Sequence, residues 1–328
     1  MADPIVQRAS DLAALSVFAD CFGADLYPLA KELVPVSADV GETLMIQGDA
    51  ADFFLIINSG RVEVSHDSDD GHSFVTDVEA GRIVGEIALL RHSPRTATVT
   101  AIEPVEGWVG NDDAFDELIE LPGVLAMLIR TSRQRLAAFI TPIPMTLADG
   151  TRLLLRPVLP GDSERTTNGP VEFSSETLYR RFQSPRVPTP GLMRYLFEVD
   201  YIDHYVWVVT TESGDVVADA RFVREERDRS VAEVAFTVGD EYQGRGIGTY
   251  LMGALVVAAR IAGVKKFTAR VLSENLAMRA IFNHAGARWE RDDLGVVTTV
   301  FDVPDKVPFR GETKKRIEDV VRQAMRAL

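Results

Sequence analysis

Three glycines at alternate positions, Gly244, Gly246 and Gly248, lie between a strand-like segment and a long apolar segment. This pattern indicates a turn from a strand into a helix where the backbone comes close to another group. The N–H groups at the start of a helix, together with the helix dipole, bind anions such as phosphate. The stretch predicts a phosphate-binding loop or, as the commoner alternative, a purely structural turn.

The spacing of these glycines excludes two well-known phosphate-binding loops. The dinucleotide-binding pattern G-x-G-x-x-G requires a third glycine where this chain has Thr249 or Leu251. A Walker loop requires Gly-Lys followed by Ser or Thr, and no lysine lies between Glu241 and Met252. A phosphate at this loop must therefore be recognised in another way.

The residues around the glycines form a larger pattern. Gln243-x-x-Gly246-x-Gly248 matches the Q/R-x-x-G-x-G/A signature of the GNAT acetyltransferases, in which this loop holds the pyrophosphate of acyl-coenzyme A. Three further stretches resemble the family's first strand, its base-bearing strand and its second motif: LADGTRLLLRPVLPGD, AEVAFTV and LSENLAMRAIFNHAGARW. The resemblance covers Thr146 to about Val303.

Glu233, ten residues before Gln243, is the candidate general base. A lysine amine has a reference pKa of about 10.4, so it must lose a proton before it attacks a thioester. A carboxylate in the cleft removes that proton directly or through a water. The alternative is an exposed strand residue without a catalytic role.

The resemblance also implies which residues bind acetyl-CoA. The backbone N–H groups of Phe236, Thr237 and Val238 would hold the pantetheine arm and polarise the thioester carbonyl. Asn275 would hydrogen-bond near the thioester, and Phe282 would pack either on the cofactor arm or on the core. The pyrophosphate loop would comprise Gln243, Gly244, Arg245, Gly246, Ile247, Gly248 and Thr249.

The chain departs from the family pattern at one functional position. Many GNAT enzymes carry a tyrosine in the second motif as general acid for the leaving thiolate, whereas this helix reads AIFNHAG. The general acid therefore stays unassigned. Acyl transfer through a cysteine is disfavoured because the single Cys21 lies in another domain, and the scattered histidines predict no metal site.

A second cluster of charged residues lies in VGEIALLRHSPRTATV, residues 84–99. Glu86 and Arg95 stand in apolar surroundings, where a charge needs a partner. An arginine fork suits a phosphate, a carboxylate accepts sugar hydroxyls, and a short helix beginning at Gly85 adds N–H groups. An ion pair between Glu86 and Arg95 in an empty roll is the alternative.

This cluster resembles the phosphate-binding cassette of cyclic-nucleotide-binding domains. The resemblance implies that Arg95 binds the cyclic phosphate, that Glu86 binds the ribose 2′-OH, and that three residues supply N–H groups: Gly85, Ile87 and Ala88. Thr96 follows the arginine and leaves the choice between cAMP and cGMP open. We expect cAMP because it is the commoner ligand in bacteria.

The elements that position these residues fall into two α+β domains. Short strand-like segments between Val36 and Val109 predict a small β-roll with flanking helices. The later segments predict a mixed, mostly antiparallel sheet with helices packed on it. Two close prolines and a turn in TPIPMTLADG mark the boundary. We predict a cyclic-nucleotide-binding domain at 1–140, a linker at 141–150 and a GNAT domain with a C-terminal helix at 151–328.

The overall charge argues against a nucleic-acid partner. Residues 1–145 carry 9 basic and 23 acidic side chains, and the remaining residues carry 26 of each. An acidic first half is unsuited to a phosphate backbone, which is bound mainly through Lys and Arg. No signal-peptide pattern or membrane-spanning apolar run of about 20 residues is found, so we expect a cytoplasmic protein.

Together the two sites resemble the mycobacterial cyclic-AMP-dependent protein acetyltransferases. The resemblance implies acetyl transfer to lysines of target proteins, such as universal stress proteins or acyl-CoA synthetases. It also implies that cAMP relieves autoinhibition by a lid, here Leu159–Thr189. Three alternatives stay open: a regulated acetyltransferase of a small amine, a cAMP-responsive transcription regulator, and a non-catalytic sensor of cAMP and acyl-CoA. The regulator is disfavoured because no helix-turn-helix follows Ala138.

Overall fold

The computed structural model describes residues 3–67, 73–184, 188–197 and 199–326. They form two compact units that divide inside one helix, after Ser132. Sequence analysis predicted this change of domain later in the chain, in a linker at 141–150.

The first unit is a β-roll of two four-stranded sheets, ordered β1-β8-β3-β6 and β2-β7-β4-β5. Its strands are β1 (Val34–Ala38), β2 (Thr43–Met45), β3 (Phe54–Ser59), β4 (Arg61–Asp67), β5 (Ser73–Glu79), β6 (Ile83–Val84), β7 (Thr98–Ala101) and β8 (Val105–Gly110). Its helices are α1 (Pro4–Ala13), α2 (Tyr27–Glu32), α3 (Glu86–Arg91), α4 (Asp112–Glu120) and α5 (Val124–Ala137), of which α5 crosses the division. This architecture confirms the predicted roll with flanking helices.

Strand β3 links the two cores of this unit. Phe54 and Ile56 pack with the helices, whereas Leu55 and Ile57 fill the interior of the roll. Successive side chains of a strand point to opposite faces, so a strand buried on both faces reads as a continuous apolar run. That is why the sequence here is FFLII rather than an alternating pattern.

The second unit is built on one eight-stranded sheet, ordered β15-β16-β14-β13-β12-β11-β10-β9. Its strands are β9 (Ile143–Thr146), β10 (Arg152–Pro157), β11 (His204–Thr210), β12 (Val216–Arg224), β13 (Val231–Val238), β14 (Lys266–Leu272), β15 (Trp289–Asp293) and β16 (Val296–Asp302). Its helices are α6 (Asp162–Asn168), α7 (Ser175–Phe182), α8 (Pro190–Phe197), α9 (Ile247–Ile261), α10 (Leu276–His284) and α11 (Gly311–Met325). All neighbouring strands pair antiparallel except β13 and β14, as predicted for a mostly antiparallel sheet.

Strand β9 lies within the stretch predicted to be a linker. It pairs antiparallel with β10 at the edge of the sheet, with Pro144 opposite Leu154. A proline is tolerated on an edge strand because its missing N–H faces away from the ladder. The two prolines that indicated a boundary are therefore compatible with a short edge strand.

Helix α9 is the apolar segment that follows the glycines. It is buried along most of its length because it packs on β11, β12 and β13 on one side and on α11 on the other. A helix that is apolar all round is usually buried all round. Among the described residues, no helix is long and apolar enough to cross a lipid bilayer.

Candidate functional site

The sheet of the second unit opens between its two parallel strands. Strands β13 and β14 pair only over Val231–Glu233 and Lys266–Thr268, and among the described residues no strand pairs with the rest of β13 on that side. On its other side β13 pairs with β12 along its whole length. The divergence creates a split with exposed backbone groups on β13.

The register of β12 and β13 determines which backbone groups face the split. Glu225 N–H donates to the Val231 carbonyl and Gly239 N–H donates to the Val217 carbonyl, so odd-numbered residues of β13 bond to β12. The N–H groups of the alternate residues point the other way. Beyond the paired residues, those facing the split are Phe236 and Val238. Thr237, expected to donate to the cofactor, has its backbone directed at β12.

The three glycines of the loop serve two different purposes. Gly244 and Gly246 have φ angles of 72° and 88°, in the left-handed region, and Gly246 is the N-cap of α9. A Cβ on Gly248 would lie 2.6 Å from Cδ1 of Ile281, so this glycine lets α10 approach α9. The first N–H groups of α9, which have no acceptor within the helix, are thereby exposed for an anion.

A cleft of about 590 Å³ joins the split to this helix start. Its lining includes every residue expected to bind acetyl-CoA except Arg245, and it includes Glu233. Arg245 instead donates to Asp149 and to the Thr151 hydroxyl, each at 2.5 Å. Its side chain is therefore hydrogen-bonded to the turn between β9 and β10.

Two residues of the second motif contribute mainly to packing and capping. Asn275 caps α10 by accepting from the Met278 N–H at 3.1 Å, and it also lines the cleft. Phe282 is 1% exposed, and its ring packs against Phe236, Trp289 and Phe301. Of the two expected roles of Phe282, the geometry favours core packing.

Glu233 is exposed on the face of β13 that also bears Ala235 and Thr237. Arg181, on α7, lines the same cleft. Burial and then the charge of Arg221 lower the pKa of Arg181 to about 10, while Asp219 and Glu233 act in the opposite direction. Arg181 remains a cation at neutral pH, so the carboxylate of Glu233 has a positive neighbour in the cleft.

In the first unit, Arg95 follows α3 in the chain, and its guanidinium reaches back to the start of that helix. It is 4% exposed, and it donates to the carbonyl oxygens of Gly85 at 3.1 Å and Phe53 at 2.7 Å. Its ion-pair partner is Asp52, at 3.8 Å, and its guanidinium stacks over the Phe53 ring. Burial lowers the pKa of Arg95, and nearby carboxylates oppose that shift.

Gly85 allows this arrangement. Its φ is 88°, and a Cβ here would lie 2.9 Å from Nη1 of Arg95. The guanidinium thus meets the first turn of α3, where the N–H groups of Glu86, Ile87 and Ala88 lack helical acceptors. A guanidinium beside free N–H groups is suited to a phosphate. Thr96 is half-buried beside Arg95, and its carbonyl bonds to the ring of His66.

Glu86 has a contact that the sequence did not indicate. Its side chain is 1% exposed, and its Oε1 accepts from the hydroxyl of Ser132 on α5 at 3.2 Å. Ser132 is fully buried. A single serine in a helix carries no recognisable pattern, so no local signal points to this contact.

Comparisons with known proteins find a family match in each unit. Residues 35–121 match the cyclic nucleotide-binding domain family, and residues 152–288 match the GNAT acetyltransferase domain family. The chain is 59% identical over its full length to the acetyltransferase Pat of Mycolicibacterium smegmatis, 99% of which it covers. The chain belongs to this family of acetyltransferases with a cyclic nucleotide-binding domain.

Two further matches agree with this assignment. A solved cAMP-binding acyltransferase from Mycobacterium smegmatis is 54% identical, with 100% of this chain and 99% of that chain covered and a TM-score of 0.54. A CRP-like cAMP-activated transcriptional regulator of Mycobacterium tuberculosis is 28% identical, but over only 38% of this chain and 57% of that protein. The family resemblance inferred from the motifs is thus confirmed, and the protein is an acetyltransferase.

Replacing Gly246 by alanine tests the loop. A Cβ is strained at a φ of 88°, so we expect the loop to relax, the first N–H groups of α9 to turn away, and the Kd for acetyl-CoA to rise at least tenfold. Isothermal titration calorimetry measures the Kd for acetyl-CoA, and the melting temperature of each variant is measured as well.

Gly263 provides the matched control at the other end of α9. Its φ is 79°, and it too has open space around a Cβ. Gly263→Ala should suffer a similar backbone cost, about 1–2 kcal/mol, and bind acetyl-CoA normally. Equal affinities in the two variants would show that Gly246 is only a structural turn.

Proposed function

We propose that this acetyltransferase moves the acetyl group of acetyl-CoA to the ε-amine of protein lysines, with Glu233 as general base and cAMP as activator. The observation that carries the proposal is an exposed carboxylate on the strand whose free N–H groups line the split. Acetyl-CoA supplies the acetyl group as a thioester. The residues of the chain supply the binding site, the orientation and the proton acceptor.

The chain can perform each of these tasks with groups already in place. The first turn of α9 binds an anion, and the N–H groups of Phe236 and Val238 face the position of the pantetheine arm and thioester carbonyl. Glu233 accepts the proton of the incoming ammonium. The neutral amine then forms the C–N bond as the C–S bond breaks, and the remaining proton of the attacking nitrogen goes to the departing coenzyme A thiolate.

The charge of the cleft favours protein lysine over a small polyamine. Arg180, Arg181 and Arg270 line it together with Glu233, and Arg180 and Arg270 are paired with Glu176 and Asp292. These arginines repel a free polycation more strongly than a single lysine with acidic neighbours on a protein surface. This preference supports a protein acceptor; universal stress proteins and acyl-CoA synthetases are candidates by family resemblance.

Labelling with isotopic acetyl-CoA tests the substrate class and the base together. A dialysed protein extract should acquire acetyl groups on lysine, more strongly with cAMP, whereas the low-mass fraction should not. Glu233→Gln should lower the rate about 10²–10⁴-fold, the usual contribution of a general base. The remaining rate should rise with pH, because hydroxide then has to deprotonate the ammonium.

The control is Glu225→Gln, which removes an exposed carboxylate just beyond β12 and should leave the rate unchanged. Label found only in small molecules contradicts the protein acceptor. Full activity of Glu233→Gln at neutral pH contradicts the base.

We infer that cAMP acts through α5. In the cyclic-nucleotide site the ribose 2′-OH would donate to the carboxylate of Glu86, whose Oε1 accepts from the hydroxyl of Ser132. We infer that the 2′-OH takes the place of the Ser132 hydroxyl at Oε1. The same helix continues into the second unit, where Gln134 donates to the Val199 carbonyl at 3.0 Å and Ala137 is buried in the core. A shift of α5 would thus act on residues of the second unit.

The lid predicted at Leu159–Thr189 includes residues 185–187, which lie outside the described residues.

Ser132→Ala tests this competition. Removing a hydrogen bond to a charged group costs about 1.5–3 kcal/mol, so cAMP should bind roughly tenfold or more tightly, with higher activity in its absence. The gain should be much smaller for 2′-deoxy-cAMP, which lacks the competing hydroxyl. Fluorescence titration measures both affinities.

The neighbouring Thr131→Ala is the control, because the Thr131 hydroxyl contacts the Met127 sulfur within α5. It should leave both affinities unchanged. Weaker cAMP binding by Ser132→Ala would show that Ser132 orients Glu86 for the ligand rather than competing with it.

A further inference from the structure

Asp240, in the loop before the glycines, collects four hydrogen bonds. Its Oδ2 accepts from the Ser174 N–H at 2.7 Å. Its Oδ1 accepts from the Ser174 hydroxyl at 3.2 Å, the Thr177 hydroxyl at 2.5 Å and the Gln243 amide at 3.1 Å. Although partial burial raises the pKa of Asp240, the hydrogen bonds from Thr177 and Ser174 and the charge of Arg180 lower it overall, so the carboxylate stays charged. One carboxylate thus joins the first turn of α7 to the coenzyme loop.

The Thr177 hydroxyl is the centre of this network. It donates to Asp240 and accepts from Nε2 of Gln243 at 3.0 Å, and the residue is 9% exposed. It is not needed to cap its own helix, because the Ser174 hydroxyl already accepts from the Thr177 N–H. Its contacts connect α7 to the loop rather than stabilise α7 alone.

The side chain of Gln243 also makes contacts outside the coenzyme loop. Its amide donates to Thr177, to Asp240 and to the carbonyl of Val238 at 3.1 Å. The Val238 carbonyl is at the end of β13, on the side of the split. The side chain therefore braces α7 against the end of the strand that lines the cleft.

The opposite end of α7 is attached to the other strand of the split. Gln183 donates to the carbonyl of Arg270 on β14 at 2.9 Å. The chain before α7 also packs tightly, since a Cβ on Gly239 would lie 2.5 Å from Cγ1 of Val171. Helix α7 thus contacts both β13 and β14 and contributes Arg181 and Phe182 to the cleft.

We propose that Thr177, together with Asp240 and Gln243, is a positioning residue that holds α7 across the split and so shapes the acceptor side of the cleft. Glu233 is exposed in this arrangement, so the network belongs to the state in which the base can be reached. The proposal rests on the proposed function in that the acceptor amine approaches Glu233.

Thr177→Val and Thr177→Ser test the proposal in the full-length enzyme with saturating cAMP. Valine keeps the shape and loses the hydroxyl, so we expect kcat/KM for a lysine acceptor to fall about tenfold or more. The Kd for acetyl-CoA should change less than threefold, because Gln243 keeps Val238 and Asp240 as acceptors. Serine retains the hydroxyl and should restore most of the activity.

Thr167→Val is the matched control, since the Thr167 hydroxyl bonds to the Ser163 carbonyl within α6 at 2.8 Å. It should behave as the unmodified enzyme. Higher activity of Thr177→Val without cAMP overturns the proposal, because the network would then hold a closed state. Equal losses in the valine and serine variants, or normal kinetics of the valine variant, also overturn it.

The result separates this proposal from the base assignment. An inactive Glu233→Gln with a normal Thr177→Val contradicts the positioning role alone. An active Glu233→Gln with an impaired Thr177→Val that serine rescues contradicts the base alone and supports the positioning role.

Discussion

The early end of the pairing between β13 and β14 is the constraint on which the catalytic unit depends. Three residues of parallel ladder hold the strands together, and beyond them no strand in the described part of the chain pairs with the N–H groups of Phe236 and Val238. Buried backbone donors are costly when unpaired, so such an edge persists where something else can pair with it. The loop, α7 and α10 are arranged around that edge, and each contributes to the walls of one cleft.

A helix in each unit begins at a glycine N-cap with a left-handed backbone. Gly85 and Gly246 are N-caps with a φ of 88°, and each directs the first N–H groups of a helix at a potential phosphate. The two helix starts differ in the group that lies near them. In the first unit it is a buried arginine, and in the second it is the edge of β13 that β14 leaves unpaired. A compact cyclic phosphate calls for the concentrated charge of a guanidinium, whereas the long arm of acetyl-CoA calls for hydrogen bonds along a strand.

Sequence patterns predicted the parts of these sites that depend on local chemistry. The loop, Glu233 and the cassette around Arg95 have types and spacing dictated by the turn, the strand and the ligand. Within the second unit the loop and Glu233 line one cleft, and within the first unit the side chain of Arg95 bonds to Gly85. The remaining contacts depend on tertiary packing. Ser132 and Thr177 are single hydroxyls in helices, and their partners lie 46 and 63 residues away, so no spacing indicates them. Strand β9 was missed because prolines mark a linker and an edge strand alike.

The exchange of individual backbone amides in β13, followed by NMR with and without acetyl-CoA, tests the central claim most directly. Exchange should slow at Phe236 and Val238, whose N–H groups face the split, and stay unchanged at Ala235 and Thr237, which are already bonded to β12. Unchanged exchange at Phe236 and Val238, in enzyme that binds acetyl-CoA, would contradict the account, because the cofactor would then be held without the free edge of the strand.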